Sequence, residues 1–238
     1  MQATTQVTSK DEMQSGTDKK IIPGGSFLIE THTASELFTP EELTDEHRMI
    51  GETTRKFIDN EVQPHVERLE AHDWTLAREL LVKAAELGLL GANIPEEYGG
   101  LGLDQISGAV IAEGLGRSAS FAVTFGSHTG IGALPILYFG SEEIKQKYLP
   151  KIVSGELIAA YALTEAGSGS DALAAKSTAR LSADGKHFIL NGEKMWISNA
   201  GFADLFVVFA KVDGDKFSGF VVEKQAGVTI GEEEHKMG

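Results

Sequence analysis

Apolar residues recur at helical spacing up to about Gly155 and at strand spacing after it. From Thr39, the positions Leu43, Ile50, Phe57, Ile58 and Val62 fall on one helix face. Thr39-Pro40-Glu41-Glu42 supplies the start, with a capping side chain, proline at the first helical position and acids at the positive end. His47 lies on the same stripe, where a packed or half-exposed side chain is the expectation rather than a ligand. A second helix runs from Trp74 to Leu90, buries Ala77, Leu80, Leu81, Ala84 and Leu87, and stops at Gly88 and Gly91. Ile94 to Leu103 holds Pro95, Gly99, Gly100 and Gly102 and cannot sustain a helix; it is either a close approach to something or a plain connection. Asp104 to Gly116 predicts another helix, through Ile106, Ala109 and Val110. The next, Ser120 to Phe139, is apolar and rich in small residues. Its glycines either leave room for an elongated apolar ligand or serve core packing. Ser141-Glu142-Glu143-Ile144 caps a last helix that ends at Gly155, with Lys145, Lys147 and Lys151 on a solvated face.

Past Gly155 the pattern shortens. Leu157 to Tyr161 is an apolar, strand-like run. Asp184-Gly185 separates Ala179-Arg180-Leu181 from His187-Phe188-Ile189-Leu190 as a hairpin with a tight turn. Asn191-Gly192 turns into a strand over Lys194 to Ser198, and Leu205 to Ala210 is short enough for a buried strand. Asp213-Gly214-Asp215 leads into Phe217 to Val222, and Gly227 to Ile230 makes a last short strand. Short strands at regular turn spacing imply a compact antiparallel barrel or sandwich. The fold class is therefore α+β: a flexible tail over residues 1–20, an all-α bundle over 21–155 opened by the turn Pro23 to Ile29, and a β domain over 156–238.

Composition narrows the partners. Lys and Arg number 21 against 35 Asp and Glu, a net charge of −14, which argues against nucleic acid or an anionic membrane surface. With no cysteine there is no disulfide or thiolate metal site, and no His-Glu-x-x-His motif occurs, so no metal is assigned. No stretch approaches the roughly 20 apolar residues of a membrane span, and the first residues lack both a signal peptide's apolar run and a transit peptide's arginines. A cytoplasmic location is the expectation.

The candidate chemistry lies where the two patterns meet. Tyr161-Ala162-Leu163-Thr164-Glu165-Ala166-Gly167-Ser168-Gly169-Ser170-Asp171 leads a strand into a loop able to bring backbone N–H groups and the hydroxyls of Thr164, Ser168 and Ser170 to an anion. Trp196-Ile197-Ser198-Asn199 sets an aromatic face beside a hydroxyl. An anion cradle and a flat platform suit a cofactor with a charged tail and a planar ring. The loop is neither Gly-x-Gly-x-x-Gly opening a helix nor a P-loop, and a serine nucleophile lacks its Gly-x-Ser-x-Gly elbow. By itself the loop is equally a structural turn.

Ala162-Leu163-Thr164-Glu165 followed by Ser168-Gly169-Ser170-Asp171 resembles the flavin signature of the acyl-CoA dehydrogenases. Asn191-Gly192-Glu193-Lys194-Met195-Trp196-Ile197-Ser198-Asn199 resembles their second flavin segment. Ile94 to Gly100, Tyr148-Leu149-Pro150-Lys151 with Ser154-Gly155-Glu156, and His235-Lys236-Met237-Gly238 resemble further motifs, in register over residues 40–238. Gly24-Gly25-Ser26-Phe27 and the run Phe188 to Lys211 are most similar to the very-long-chain type. Ala166 stands where proline is common, and Ser198 where many members have threonine.

The resemblance implies FAD as cofactor. Tyr161, Leu163 and Thr164 would edge the isoalloxazine and bond its pyrimidine part; Gly169 and Ser170 would hold the pyrophosphate. Trp196 and Ile197 would flank the ring, Ser198 would offer donors near N5 and O4, and Ser170 would also touch the substrate's CoA. Such donors stabilise charge as the ring takes hydride. The implied reaction is α,β-dehydrogenation of a fatty acyl-CoA in β-oxidation, with an electron-transferring flavoprotein as acceptor and a homo-oligomer as the full-length form. The family's base is a glutamate in a C-terminal helical domain, so none of Glu113, Glu156 and Glu165 is nominated. The chain is expected to be a fragment that binds FAD weakly and is inactive alone. The rivals are an acyl-CoA oxidase or flavin monooxygenase of the same fold, and a non-catalytic flavin or acyl-CoA binding module.

Overall fold

The computed structural model describes residues 24–33 and 36–234. The expected tail over residues 1–20, Pro23 and His235-Lys236-Met237-Gly238 lie outside the described residues. The chain divides into two compact units, one ending at Thr44 and one beginning at Asp45. In the first, Ser26–Leu28 forms a 3-10 turn after Gly25 in the left-handed region (φ 81°), and Ser26 Oγ lies 2.9 Å from His32 Nε2. The expected cap at Thr39 is present as a capping box: Thr39 N–H donates to Glu42 across 3.0 Å. It caps only the 3-10 turn Pro40–Glu42, because Leu43 adopts ψ 127° and breaks the helical path.

The second unit opens with α1 (Asp45–Phe57), which passes through a π-helical turn (Ile58–Val62) and a 3-10 turn (Gln63–His65) into α2 (Val66–Glu70). Then follow α3 (Trp74–Glu86), α4 (Gln105–Leu115), α5 (Ala119–Gly126), α6 (Leu134–Phe139) and α7 (Glu142–Val153). The single helix expected over Ser120 to Phe139 is instead α5 and α6 joined by a π-helical turn, Ser127–Gly132. The α1 stripe also buries two small residues, Gly51 and Thr54, and these decide the α4 packing. A Cβ on Gly114 would lie 2.8 Å from Thr54 Cγ2, so the two helices meet as closely as glycine allows. His47 is buried as expected, its Nε2 lying 3.0 Å from Asp104, which also caps α4 by accepting from Ser107 N–H.

Gly91 to Leu103 folds back on itself. The carbonyls of Gly91, Ala92 and Ile94 accept from the N–H groups of Leu101, Leu103 and Gly102 at 2.9, 2.7 and 2.8 Å. The glycine density therefore serves close approach, and what is approached is the chain's own backbone.

Among the described residues five strands follow: β1 (Ala159–Ala162), β2 (Thr178–Leu181), β3 (Phe188–Asn191), β4 (Leu205–Val212) and β5 (Lys216–Glu223). The predicted hairpin turns are present, with β2 against β3 and β4 against β5, both antiparallel. The sheet as a whole is mixed, which corrects the antiparallel expectation: β1 and β2 both pair parallel to β4, at residues 205–208 and 211–212 respectively. Only neighbours joined by tight turns must run antiparallel; long connections leave the direction free. Two predicted strands are absent. Lys194 to Ser198 is a loop, because Trp196 and Asn199 sit at φ 57° and 69°. Gly227 to Ile230 forms no strand: Gly227 is left-handed (φ 105°), the Val228 N–H donates to the Lys224 carbonyl at 3.2 Å, and Val228 and Ile230 pack on Ala160, Ala203 and Phe206.

Alternation along the strands sends side chains to two cores. Ala159, Leu205 and Val207 join Ile94, Ala133, Ile136, Leu149 and Ile152 of the helical layer, while Ala160 and Phe206 face the other way. The helical and β layers are also tied by polar contacts. Asp204 accepts from Arg78 at 2.7 Å and from the Ile158 N–H at 2.8 Å, and Trp74 of α3 stacks on Phe202 with ring centroids 5.2 Å apart. Asp204→Ala orphans the Ile158 donor and leaves the Arg78 head only the Phe202 and Glu156 carbonyls, so it is expected to cost about 2 kcal/mol, the worth of a charge-assisted hydrogen bond. Urea unfolding would check this, and an unchanged midpoint would contradict it.

Candidate functional site

β1 ends at Ala162, and the chain turns out of the sheet through Leu163, Thr164 and Glu165. Glu165 and Ser168 exchange backbone hydrogen bonds, each 3.0 Å, closing a tight loop over Ala166-Gly167. The Ser168 hydroxyl is buried and donates to the carbonyls of Asp171 (2.9 Å) and Ala172 (3.2 Å). It builds the loop and is not available to an anion, unlike the exposed Ser170. Gly167 and Gly169 have open space where a Cβ would stand, so the rim of this loop is bare backbone.

The second segment lies directly against the first. Met195 N–H donates to the Thr164 carbonyl (3.0 Å), and Lys194 Nζ donates to the Leu163 carbonyl (3.0 Å) and to Glu165 Oε1 (2.7 Å). The Glu165 and Lys194 side chains are 9% and 10% exposed, which makes this a buried ion pair. Glu165 also accepts from the N–H groups of Lys176 (2.6 Å) and Ser177 (3.1 Å). Burial pushes its carboxyl up, but Lys194 and the bonds from Lys176 and Ser177 outweigh burial and hold it at about 2. A carboxylate so committed acts as a strut between the two loops.

Beyond Lys194, Trp196 takes a left-handed backbone conformation (φ 57°) and is 59% exposed. For a bulky residue that backbone costs on the order of 1–2 kcal/mol and persists only where its surroundings impose it. Ile197 is partly buried against the Ala160 cluster, and Ser198 is exposed. Asn199 closes the turn, also left-handed (φ 69°), with its side-chain amide donating to Thr124 O (3.0 Å) and Ala159 O (3.4 Å). Tyr161 points into the layer shared with α6 and α7, its ring 5.1 Å from that of Phe209, and burial pushes its hydroxyl up.

Thus Leu163, Thr164, Trp196, Ile197 and Ser198 belong to two loops hydrogen-bonded side by side, with Gly169 and Ser170 on the open rim of the first. Sequence reasoning missed Lys194 and Asn199. The available signals were a lysine at the head of the short apolar run Met195-Trp196-Ile197 and an asparagine, tolerant of the left-handed region, closing it. It missed His128 as well. This fully buried side chain lies 2.9 Å from the Ile152 carbonyl and accepts from the Ala159 N–H at 3.1 Å, joining α7 to β1.

The small-residue face also resolves. Gly126 and Gly130 border open space beside the exposed Val123 and Ile131. Gly132 does not: a Cβ there would lie 2.7 Å from Ala159 Cβ, and Ala133 is fully buried. A separate surface cavity of about 410 Å³ is lined by Ala85 to Gly88, Gly91, Gly99 to Leu101 and Val153, none of them from the two loops. Among the described residues no cluster of His, Asp or Glu could hold a metal, and no helix is long and apolar enough to cross a membrane.

A helical layer feeding a β layer, with two polar loops joined at the strand ends, defines a two-domain architecture that comparison with known proteins identifies. The family profile "Acyl-CoA dehydrogenase, N-terminal domain" matches residues 44–156, and "Acyl-CoA dehydrogenase, middle domain" matches residues 160–238. The chain belongs to the acyl-CoA dehydrogenase family and carries its N-terminal and middle domains. It is 60% identical over 216 residues to a probable acyl-CoA dehydrogenase of Bacillus subtilis, covering 90% of this chain and 36% of that protein. It is 37% identical over 246 residues to the mitochondrial very long-chain specific acyl-CoA dehydrogenase of Bos taurus, covering 97% of this chain and 37% of that one. The crystal structure of an acyl-CoA dehydrogenase complexed with FAD from Bacillus anthracis superposes with a TM-score of 0.88 at 58% identity, over 91% of this chain and 38% of that chain. The chain therefore spans little more than a third of the length of these relatives.

Proposed function

We propose that the chain forms the flavin-holding part of an FAD-dependent acyl-CoA dehydrogenase that introduces an α,β double bond into long-chain fatty acyl-CoA thioesters during β-oxidation. The observation that carries this reading is the pairing of the two loops, through Met195 to Thr164 and Lys194 to Leu163 and Glu165. Open space over Gly167 and Gly169 suits a pyrophosphate, and the exposed Trp196 offers a flat surface of the kind an isoalloxazine stacks on.

In this reading Gly169 and Ser170 hold the pyrophosphate, and Ser170 also meets the CoA. Tyr161, Leu163 and Thr164 border the pyrimidine edge of the ring, Trp196 and Ile197 its flank, and Ser198 offers donors where charge develops. FAD, when bound, supplies the acceptor for the hydride lost from the substrate's β-carbon. The acyl tail follows the open face of Gly126 and Gly130, past Val123 and Ile131. The proton-abstracting carboxylate is assigned to the family's C-terminal helical domain. The full-length protein is a cytoplasmic homo-oligomer that passes electrons to an electron-transferring flavoprotein, and the two domains alone bind FAD weakly and do not turn over.

The test is spectroscopic. The full-length protein is expected to purify yellow and to bleach on addition of a long-chain acyl-CoA, more completely than with a short-chain one. Ser170→Ala is expected to weaken FAD binding about tenfold, the worth of one hydrogen bond to a charged group. A colourless protein that FAD titration does not saturate would end the proposal.

A further inference from the structure

Ala159, the first residue of β1, is held at three points. Its N–H donates to His128 Nδ1 across 3.1 Å, and its carbonyl accepts from the Asn199 side-chain amide across 3.4 Å. Its Cβ packs over Gly132 so closely that a Cβ on that glycine would lie 2.7 Å away. His128 and Gly132 both belong to the π-helical turn Ser127–Gly132, four residues apart and so on the same side of it. Gly126 and Gly130, on the opposite side, border open space. One turn thus presents the open small-residue face outward and holds β1 inward. From Ala159 the strand runs only to Ala162 before the chain leaves the sheet at Leu163 and Thr164, whose carbonyls hold the second loop through Lys194 and Met195. A shift at Ala159 therefore reaches both loops through a few residues of extended, paired backbone.

We propose that His128 is a positioning residue: through the Ala159 N–H, its imidazole sets the spacing between the open face of the π-helical turn and the strand that delivers the first loop. What the spacing serves, an acyl chain kept at a fixed distance from a flavin, rests on the flavin reading above; the spacing itself does not. The two bonds of the ring have different tasks. Nε2 meets the Ile152 carbonyl at 2.9 Å, which ties the turn to α7 within the helical layer. Nδ1 crosses to the sheet. Both His128 and Ala159 are fully buried, so water does not replace either bond when it is lost. A purely structural histidine would support stability through both bonds alike. A positioning histidine acts on the loops through the Ala159 bond alone, and that difference is measurable.

The experiment separates the two bonds in the full-length protein. Asparagine at 128 is long enough to put an acceptor near the Nδ1 position, and glutamine to put a donor near the Nε2 position. His128→Asn thus keeps the Ala159 bond, and His128→Gln keeps the Ile152 bond. Urea midpoints should fall in both, since each loses one buried hydrogen bond. Amide hydrogen exchange over 159–164, read by mass spectrometry without added FAD, should stay close to the parent's in His128→Asn and run about tenfold faster in His128→Gln. FAD titration should give parent-like affinity in His128→Asn and about tenfold weaker binding in His128→Gln. Gly132→Ala keeps the imidazole but wedges the turn off Ala159. It should speed exchange over 159–164 and weaken FAD binding, and it serves if the His128 variants do not fold, with parent-like exchange then overturning the proposal. Equal exchange over 159–164 in the Asn and Gln variants overturns the proposal, and so does equal FAD affinity in them where the parent binds FAD. If the parent binds no FAD, the flavin reading falls by itself, and the exchange comparison still decides whether His128 sets the spacing.

Discussion

Replacing His128 with leucine is expected to destabilise the protein by on the order of 4 kcal/mol at neutral pH, because it strips two fully buried backbone groups of their partner. The imidazole bonds the Ile152 carbonyl through Nε2 and the Ala159 N–H through Nδ1, and both of those residues are buried. That pattern requires the neutral ring with its proton on Nε2, since Nδ1 accepts. Burial accordingly pushes the His128 pKa down from 6.5 to about 4, against a smaller upward pull from the Ile152 carbonyl. The unfolded chain therefore binds a proton in a range where the folded protein does not. The stability tied to this neutral ring is fully present above pH 6.5 and is lost as pH falls toward 4. Its size over that interval is about 3 kcal/mol. Urea midpoints measured from pH 7.5 to 4 should fall in the parent and fall less steeply in His128→Leu; parallel curves would refute the assignment. Glu165 acts in a lower window. Its folded value of about 2 lies below the ordinary 4.5, so its contribution is present above pH 4.5 and disappears as pH drops toward 2.

The second large effect is expected at Gly100. A Cβ there would stand 1.9 Å from the Ile94 carbonyl oxygen, 2.5 Å from its carbon and 2.7 Å from the Gly91 oxygen. All three atoms are backbone, and the first accepts from the Gly102 N–H, so no side-chain rotation relieves the overlap. Gly100→Ala must open the folded-back segment between Gly91 and Leu103 and is expected to cost about 3 kcal/mol or more, beyond ordinary overpacking. Gly126→Ala is the control: nothing lies near its Cβ position, and only the helix propensity should change. Thermal melts of the two variants would separate them, and equal melting temperatures would show that the close approach is not structural.

Much of this protein was legible from side-chain order alone. The helical stripes of α3 and α4 (apart from Leu87 and Ala109, which end up exposed), the change of period after Gly155, the two hairpin turns and the packed state of His47 all follow from local rules of spacing and turn chemistry. So does the pairing of a small-residue loop with an aromatic segment, because the residue types needed to approach an anion and to face a ring are few. Three features lay beyond reach. The parallel pairing of β1 and β2 onto β4 joins residues separated by long connections, whose direction no local signal sets. The strand expected over Lys194 to Ser198 is overridden by left-handed turns at Trp196 and Asn199, in a segment bonded to distant partners at Thr124, Leu163 and Glu165 that no local pattern foretells.

The third is the division of labour among identical residue types. By sequence, Ser168 and Ser170 are two hydroxyls in one loop, and Gly130 and Gly132 are two glycines on one helical run. In the fold Ser168 turns inward to the Asp171 and Ala172 carbonyls while Ser170 faces out, and Gly132 meets Ala159 while Gly130 borders open space. The sequence by itself determined most of the helical segments, all five of the strands that form and the two loops that come together, because those depend on propensities and spacings a few residues long. Only the tertiary structure decided strand direction, the Glu165–Lys194 strut and which hydroxyl and which glycine remain open. Those depend on which distant backbone groups need a partner once water is excluded.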